Sequence, residues 1–374
     1  MANIFDYMIW RGDLPFMRDP LNDIDSLIIN RIAYIPFDGI ISDKLPDGLT
    51  VGEAVQKFLA YPDADKRVYI ETDIRLCRAI LDCPRFALLP LSGYENTVDT
   101  KREVQFCAMV FSLSPTEHYI AFRGTDNTIV GWKEDFNMSF VTPVPAQLQA
   151  ARYLEKAAAG MPGSLITGGH SKGGNLAVYA AAYASSKTRN RISAIYNNDG
   201  PGFDPAVLKT DGYLAISAKI RTFVPQSSIV GMLLEHEEDY TIVKSKQVSI
   251  MQHDLYSWEV LGREFISLDR VTNSSRFIDS TLKDWVSHMT RDQRERFVDG
   301  LFSLLRDTNA ETLQDLTENF FVSAKTIIKT LGGMDEETRS SVQYALGLLL
   351  RSAKENISEV WPKPKLPGRK GEVP

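Results

Sequence analysis

Cysteine is scarce in this sequence of 374 residues, which has only Cys77, Cys83 and Cys107. Their number is odd, and no two of them stand in a C-x-x-C spacing. Neither a disulfide framework nor a cysteine zinc site is therefore expected. Reduced, buried thiols are typical of intracellular proteins, so the expected location is the cytoplasm.

Long apolar runs and a surplus of basic residues are also missing. The stretch MANIFDYMIWRGDLPFMRD has no cationic leader followed by an apolar segment, and no window reaches the length of a membrane span. The formal net charge of -6 gives no reason to expect nucleic acid as a partner. With 44% hydrophobic and 24% charged residues, the composition is that of a protein with a substantial core.

Apolar strands alternate with helices through the middle of the chain. The N-terminal residues 21–83 predict mainly helix, and Thr50 and Glu53 have the spacing of a capping box. Further helices are predicted at 146–160 and 173–187, with a weaker signal at 203–216. Short runs rich in β-branched and aromatic residues predict strands within 103–113, 117–125, 164–169, 192–199, 219–226 and 239–246. This alternation predicts an α/β fold with a mostly parallel sheet and helices on both faces.

From Asn273 onwards the pattern is one of long amphipathic helices, at 281–307, 310–331 and 335–357. Their apolar stripes need a partner surface, which could be the cleft, the sheet or a second copy of the chain in a homo-oligomer. The end PKPKLPGRKGEVP predicts disorder. The expected units are an α/β domain with a helical N-terminal segment at 1–272, a helical region at 273–361 and a disordered tail at 362–374.

The segment GGHSKGG places a serine between glycines where a strand gives way to a helix. Gly169-x-Ser171-x-Gly173 is the nucleophile-elbow pattern, in which small residues let strand and helix approach closely. The helix N-terminus then directs N–H groups at an oxyanion that forms beside the serine. The simpler alternative is a solvent-facing serine at a tight bend. The order of the glycines fits neither the dinucleotide fingerprint nor the P-loop.

Two motifs together resemble the class 3 lipases. In that family an FRG[ST] turn, a Trp and an Asp precede a GHSLGG elbow, and this chain has FRGT ending at Thr125, then Trp132, Asp135 and GHSKGG. The resemblance covers roughly residues 100–260 and implies an α/β-hydrolase-like fold. It also implies two oxyanion donors: Thr125, through its N–H or its hydroxyl, and the N–H of Lys172. We interpret Arg123 and Asp135 as an ion pair that braces the turn.

Three further segments, DYMIWRGDLPF, DGPGF and SIVGMLLEH, resemble the bacterial Mbeg1-like family. That resemblance extends over most of the chain. It implies a place within the α/β-hydrolase superfamily and no known substrate.

The general base must be a histidine after the serine, because α/β-hydrolases carry their nucleophile, acid and histidine in that order. His236 lies in an acidic, solvated segment, and His288 lies within an amphipathic helical stretch. His253 follows the last predicted strand, where the base belongs, and is the preferred candidate.

The acid is harder to choose. Class 3 lipases carry an Asp in a turn that reads Gln226-Ser227-Ser228 here, and none of these side chains can hold the charge that stabilises an imidazolium. Asp199 ends the strand after the nucleophile strand, a position that some lipases of the superfamily use for the acid, and is preferred. Its alternatives are Asp204, Asp254 and a Ser–His dyad without a carboxylate.

The predicted function is hydrolysis of a small-molecule or lipid carboxylic ester through an acyl-enzyme on Ser171, with His253 and Asp199 and without metal or organic cofactor. Two alternatives stay open. A thioesterase or acyltransferase would use the same serine. A non-catalytic binding protein of the hydrolase fold would account for the missing acid and could bind partners through its C-terminal helices.

Overall fold

The computed structural model describes residues 2–306 except 47, 127–128, 139–141, 229, 233 and 248, together with residues 336, 339, 340 and 344. The predicted helix at 310–331 and the tail at 362–374 lie outside the described residues, as does the helix at 335–357 apart from those four positions. The α-helices of the described part are α1 Ile4–Arg11, α2 Asp23–Ile32, α3 Val51–Leu59, α4 Ala64–Arg67, α5 Thr72–Leu81, α6 Pro84–Ala87, α7 Ile129–Asn137, α8 Pro145–Gly160, α9 Lys172–Tyr183, α10 Ser186–Arg191, α11 Pro205–Leu208, α12 Asp211–Leu214, α13 Asn273–Ser287 and α14 Arg291–Arg306. The strands are β1 Leu49–Thr50, β2 Pro90–Asp99, β3 Val104–Ser114, β4 Glu117–Phe122, β5 Ser164–His170, β6 Ile192–Asn198, β7 Ile220–Pro225, β8 Tyr240–Val243, β9 Val260–Leu261, β10 Glu264–Phe265 and β11 Ser267–Leu268.

Nine strands form one sheet in the order β1-β2-β3-β4-β5-β6-β7-β8-β11. Strands β4 to β8 are parallel, whereas β1 to β4 pair antiparallel at one side and β11 pairs antiparallel with β8 at the other. Parallel strands end at the same edge of a sheet, so the segments that follow β4, β5, β6 and β8 meet there.

The side chains of β3 show how both faces of the sheet are covered. Successive residues of a strand point to opposite faces. One set packs in a core with α1, α2, α3 and α5, and the other set packs in a core with α8 and α9; the two sets are Cys107, Met109 and Phe111, and Phe106, Ala108 and Val110. The predicted α/β-hydrolase-like fold class, with a mostly parallel sheet and helices on both faces, is thereby confirmed.

Local signals placed several elements correctly and missed others. Thr50 and Glu53 form the predicted capping box at the start of α3. The helix predicted at 173–187 is two helices, because α9 ends at Tyr183 and Ser185 caps α10. The weak helix at 203–216 consists of the short helices α11 and α12, and β2 had no sequence prediction.

The helical C-terminal pattern begins at α13, and α14 reaches the body of the protein. Asp299 of α14 forms an ion pair with Lys133 of α7, with 2.8 Å between Oδ1 and Nζ. The division into units at 272 and 361 stays a prediction. Among the described residues, no helix is long and apolar enough to cross a membrane.

Candidate active site

Ser171 sits at a strained junction between β5 and α9. Its φ of 60° and ψ of -137° lie outside the regions that side-chain-bearing residues normally adopt. A Cβ built on Gly169 would lie 2.1 Å from the carbonyl carbon of Gly173, and one built on Gly173 would lie 2.1 Å from the carbonyl oxygen of Phe122. The predicted close approach of strand and helix therefore requires glycine at both elbow positions.

The elbow leaves the Ser171 side chain half-buried and its backbone fixed. The Ser171 N–H donates to the carbonyl of Asn198 at 2.9 Å, which places the serine next to the end of β6. The serine side chain does not cap α9. The first N–H groups of a helix lack partners within it, so the N–H of Lys172 is available beside the hydroxyl.

Asp199 and His253 come together at the same edge of the sheet. Asp199 follows β6, is fully buried and has a φ of 52°. His253 ends the 3₁₀ turn Ser249–His253 after β8. The distance from His253 Nδ1 to Asp199 Oδ2 is 2.6 Å, which is a short charge-assisted hydrogen bond.

The turn at residues 226–228, which resembles the turn that carries the acid in class 3 lipases, provides a hydrogen bond to Asp199. Ser228 Oγ donates to Asp199 Oδ1 at 2.5 Å, and the N–H of Gly231 donates to the same oxygen at 3.1 Å. A buried carboxylate needs such donors, because an unpaired charge in the interior is costly. The serine of the turn thus contributes a hydrogen bond to a carboxylate that comes from the neighbouring strand.

His170 holds the main chain of His253. Its Nε2 lies 2.9 Å from the His253 carbonyl oxygen, and the two rings lie 4.5 Å apart between centroids. A carbonyl only accepts, so Nε2 carries the proton, and Nδ1 accepts from the Tyr34 hydroxyl at 3.2 Å. Burial and the nearby His253 hold the pKa of His170 well below its usual value, so this ring is neutral.

No hydrogen bond joins Ser171 Oγ to His253 Nε2 in the described part of the chain. The Asp199 contact occupies Nδ1, so the free ring nitrogen of His253 is the one that a nucleophilic serine requires. Catalytic hydrogen bonds are often long in structures without substrate and tighten in the complex.

The Thr125 turn lies against the elbow. A Cβ on Gly124 would come within 3.0 Å of Ser171 Cβ. The Thr125 hydroxyl donates to Asp135 Oδ2 of α7. A hydroxyl has one proton, so this contact leaves the backbone N–H of Thr125 as the donor that could face an oxyanion.

The predicted pairing of Arg123 with Asp135 is wrong. The Arg123 guanidinium is buried and donates to Asn96 at 3.1 Å and to Asp126 at 3.3 Å. Asp135 instead accepts from Thr125 and lies 3.9 Å from Lys172 Nζ. Asp126 is three residues along the chain from Arg123, and this close partner could not be distinguished from Asp135 by pattern alone.

The other predicted candidates lie in structural roles. His236 forms hydrogen bonds with Glu238 at 3.0 Å and with the Gly231 carbonyl at 2.8 Å. His288, which follows α13, forms a hydrogen bond with the carbonyl of Asp284. Asp204 caps α11, and Asp254 accepts from the N–H of Tyr256. Within the part of the chain that the structure describes, no three His, Cys, Asp or Glu side chains are grouped to hold a metal ion.

A family model for Mbeg1-like proteins matches residues 80–303. The chain belongs to the Mbeg1-like family. Among solved structures it is similar to the crystal structure of M37 lipase, with 12% identity and a TM-score of 0.33, over 63% of this chain and 83% of that chain. A likeness at that level establishes neither fold nor function. No curated protein matches the sequence.

In this Mbeg1-like chain, we expect Asp135 to make the stability of the folded protein depend on pH. Burial raises the pKa of its carboxyl from 3.8 to about 6. Between pH 3.8 and about pH 6, the carboxyl is therefore protonated in the folded state and ionised in the unfolded state. Stability therefore falls as the pH rises through that window. We expect Asp135→Asn, which keeps an acceptor for Thr125, to lack this loss. Urea titrations of wild type and Asp135→Asn at pH 4 and pH 7 measure the free energy of unfolding of each protein. If the difference between the two proteins is the same at both pH values, Asp135 is not the source of the pH dependence.

Proposed function

We propose that the protein is a serine hydrolase of the lipase or esterase type, which cleaves a carboxylic ester through an acyl-enzyme on Ser171. The observation that carries the proposal is the 2.6 Å contact between His253 Nδ1 and a buried Asp199, beside a serine on a strained elbow. A carboxylate on Nδ1 fixes the tautomer in which Nε2 has a free lone pair, and it stabilises the imidazolium that forms.

The first half-reaction forms the acyl-enzyme. His253 Nε2 takes the proton of the Ser171 hydroxyl as Oγ bonds to the ester carbonyl carbon. The negative charge on the former carbonyl oxygen is held by the N–H of Lys172, at the N-terminus of α9, and by the N–H of Thr125, in the turn after β4. The intermediate collapses when the C–O bond to the alcohol breaks and the imidazolium returns its proton to the leaving oxygen.

The second half-reaction repeats the same steps with water. His253 takes a proton from water, whose oxygen adds to the acyl carbon. The bond to Ser171 Oγ then breaks, the imidazolium returns its proton to that oxygen, and the acid product leaves. Thioesters and acceptor alcohols pass through the same acyl-enzyme, so the proposal names the reaction class and leaves the acyl and alcohol groups open.

Labelling with a fluorophosphonate tests the proposal, because only an activated serine reacts quickly with it. We expect one adduct, on Ser171, in the folded protein and none after denaturation, as mapped by mass spectrometry of peptides. Ser164→Ala is the matched control at the opposite end of β5 and should label like wild type. Failure of the folded wild-type protein to label at Ser171 rejects the proposal.

A further inference from the structure

The side chain of Lys172, next to the proposed nucleophile, is buried and fully hydrogen-bonded. Only 1% of it is exposed. Its Nζ lies 2.9 Å from the Gln105 carbonyl, 2.6 Å from Gln105 Oε1 and 3.0 Å from Glu134 Oε2. An ammonium has three protons, so these contacts satisfy all its donors. The lipase motif that this elbow resembles has an apolar leucine at the same position.

Glu134 joins three elements through one carboxylate. Its side chain is fully buried in α7. Besides Lys172, it accepts from the N–H of Gln105 at the start of β3, at 3.1 Å, and from the N–H of Ala146 in the first turn of α8, at 2.8 Å. The Glu134 carboxylate therefore links α7 to β3, to α8 and to the elbow residue Lys172.

The next residue of α7, Asp135, accepts the hydroxyl proton of Thr125. The two proposed oxyanion donors, the N–H groups of Thr125 and Lys172, lie on separate segments of the chain. Besides the direct approach of the Thr125 turn to the elbow at Gly124, a route of polar contacts joins them. It runs from Lys172 to Glu134 through the ion pair, from Glu134 to Asp135 along α7, and from Asp135 to Thr125.

We propose that the Lys172–Glu134 ion pair is a positioning device that sets the distance between the two oxyanion donors. The inference rests on the proposed function and adds two residues that do not touch the substrate. Stability alone does not explain the pair, because replacing a buried ion pair by neutral groups of similar volume is often neutral or stabilising. The contacts of Glu134 with β3 and α8, together with its ion pair to Lys172, favour a role of the pair in geometry.

The double variant Lys172→Met/Glu134→Gln tests this, since it removes both charges without leaving one of them unpaired. Because methionine leaves the buried Gln105 carbonyl and Oε1 without their donor, we expect the melting temperature of the double variant to lie somewhat below that of wild type. The fluorophosphonate labelling rate at Ser171 should fall about 10- to 100-fold, somewhat less than the loss of a whole oxyanion donor. Amide hydrogen exchange in residues 122–138 should become faster. Each single variant leaves a buried charge unpaired and should melt at a lower temperature than the double variant.

Lys156→Met is the matched control, because it removes an ammonium from a part-exposed pair with Glu95 at 2.5 Å. It should label and exchange like wild type. A double variant with wild-type labelling and wild-type exchange in residues 122–138 overturns the inference. If the wild-type protein itself does not label, the proposed function fails, and exchange in residues 122–138 still decides whether the ion pair anchors α7.

Discussion

Ser171→Ala is expected to abolish ester hydrolysis while the protein stays folded. The substitution removes the hydroxyl oxygen that we propose bonds to the substrate carbonyl, and without this oxygen the proposed acyl-enzyme cannot form. In serine hydrolases such a loss lowers kcat by a factor of about 10³ or more. Turnover of p-nitrophenyl acetate and butyrate measures it.

The control for this variant must separate chemistry from folding. Ser171 is held by its backbone N–H to Asn198, and its hydroxyl does not cap α9, so the alanine variant should melt as wild type does. Alanine also tolerates the positive φ of this elbow no worse than serine. Ester turnover that survives in Ser171→Ala would place the nucleophile elsewhere.

Asp199→Asn is expected to lower kcat by about 10³- to 10⁴-fold with little change in KM. An asparagine can present its NH₂ group to His253 Nδ1, which then must accept, so the proton moves to Nε2 and the base is lost. The asparagine carbonyl can still accept from Ser228 Oγ and the Gly231 N–H, so the packing around the site is kept. Steady-state kinetics of the variant measure both constants.

Asp254→Asn is the matched control for the acid, because Asp254 adjoins His253 in the same loop. Its carboxyl caps a 3₁₀ turn through the N–H of Tyr256, and an asparagine can do the same. We expect this variant to retain wild-type turnover. A silent Asp199→Asn together with an inactive Asp254→Asn would reverse the assignment of the acid.

The parts of the fold that follow from short-range patterns could be predicted from the sequence. Short runs rich in β-branched and aromatic residues placed the core strands, and the capping box at Thr50 marked the start of α3, because these signals depend on residues a few positions apart. Strand β2 was not predicted, because its segment PLSGYENTVD combines apolar residues with polar residues and a glycine and so has no clear strand pattern. It is a strand because it pairs with β3.

For the candidate site too, motifs of neighbouring residues could be predicted, whereas contacts between residues far apart in the sequence could not. The elbow pattern singled out Ser171, and chain order reduced the bases to three histidines. The acid stayed open between Asp199, Asp204 and Asp254, because the choice depends on which carboxylate the fold brings to His253 Nδ1, and Asp199 is 54 residues from this histidine in the sequence. The contacts of Tyr34 with His170 and of Glu134 with Lys172 had no sequence signal, although the histidine and lysine that flank the serine were visible in the motif.

The helices before residue 80 have a consequence for what counts as the folding unit. The family model begins at residue 80, yet α1, α2, α3 and α5 pack in the core on one face of the sheet, and Tyr34 contacts His170 beside the serine. A polypeptide that began at residue 80 would expose that apolar face to water and lose a contact next to the candidate base. The matched region is therefore a portion of a folding unit that we expect to include the helices before residue 80.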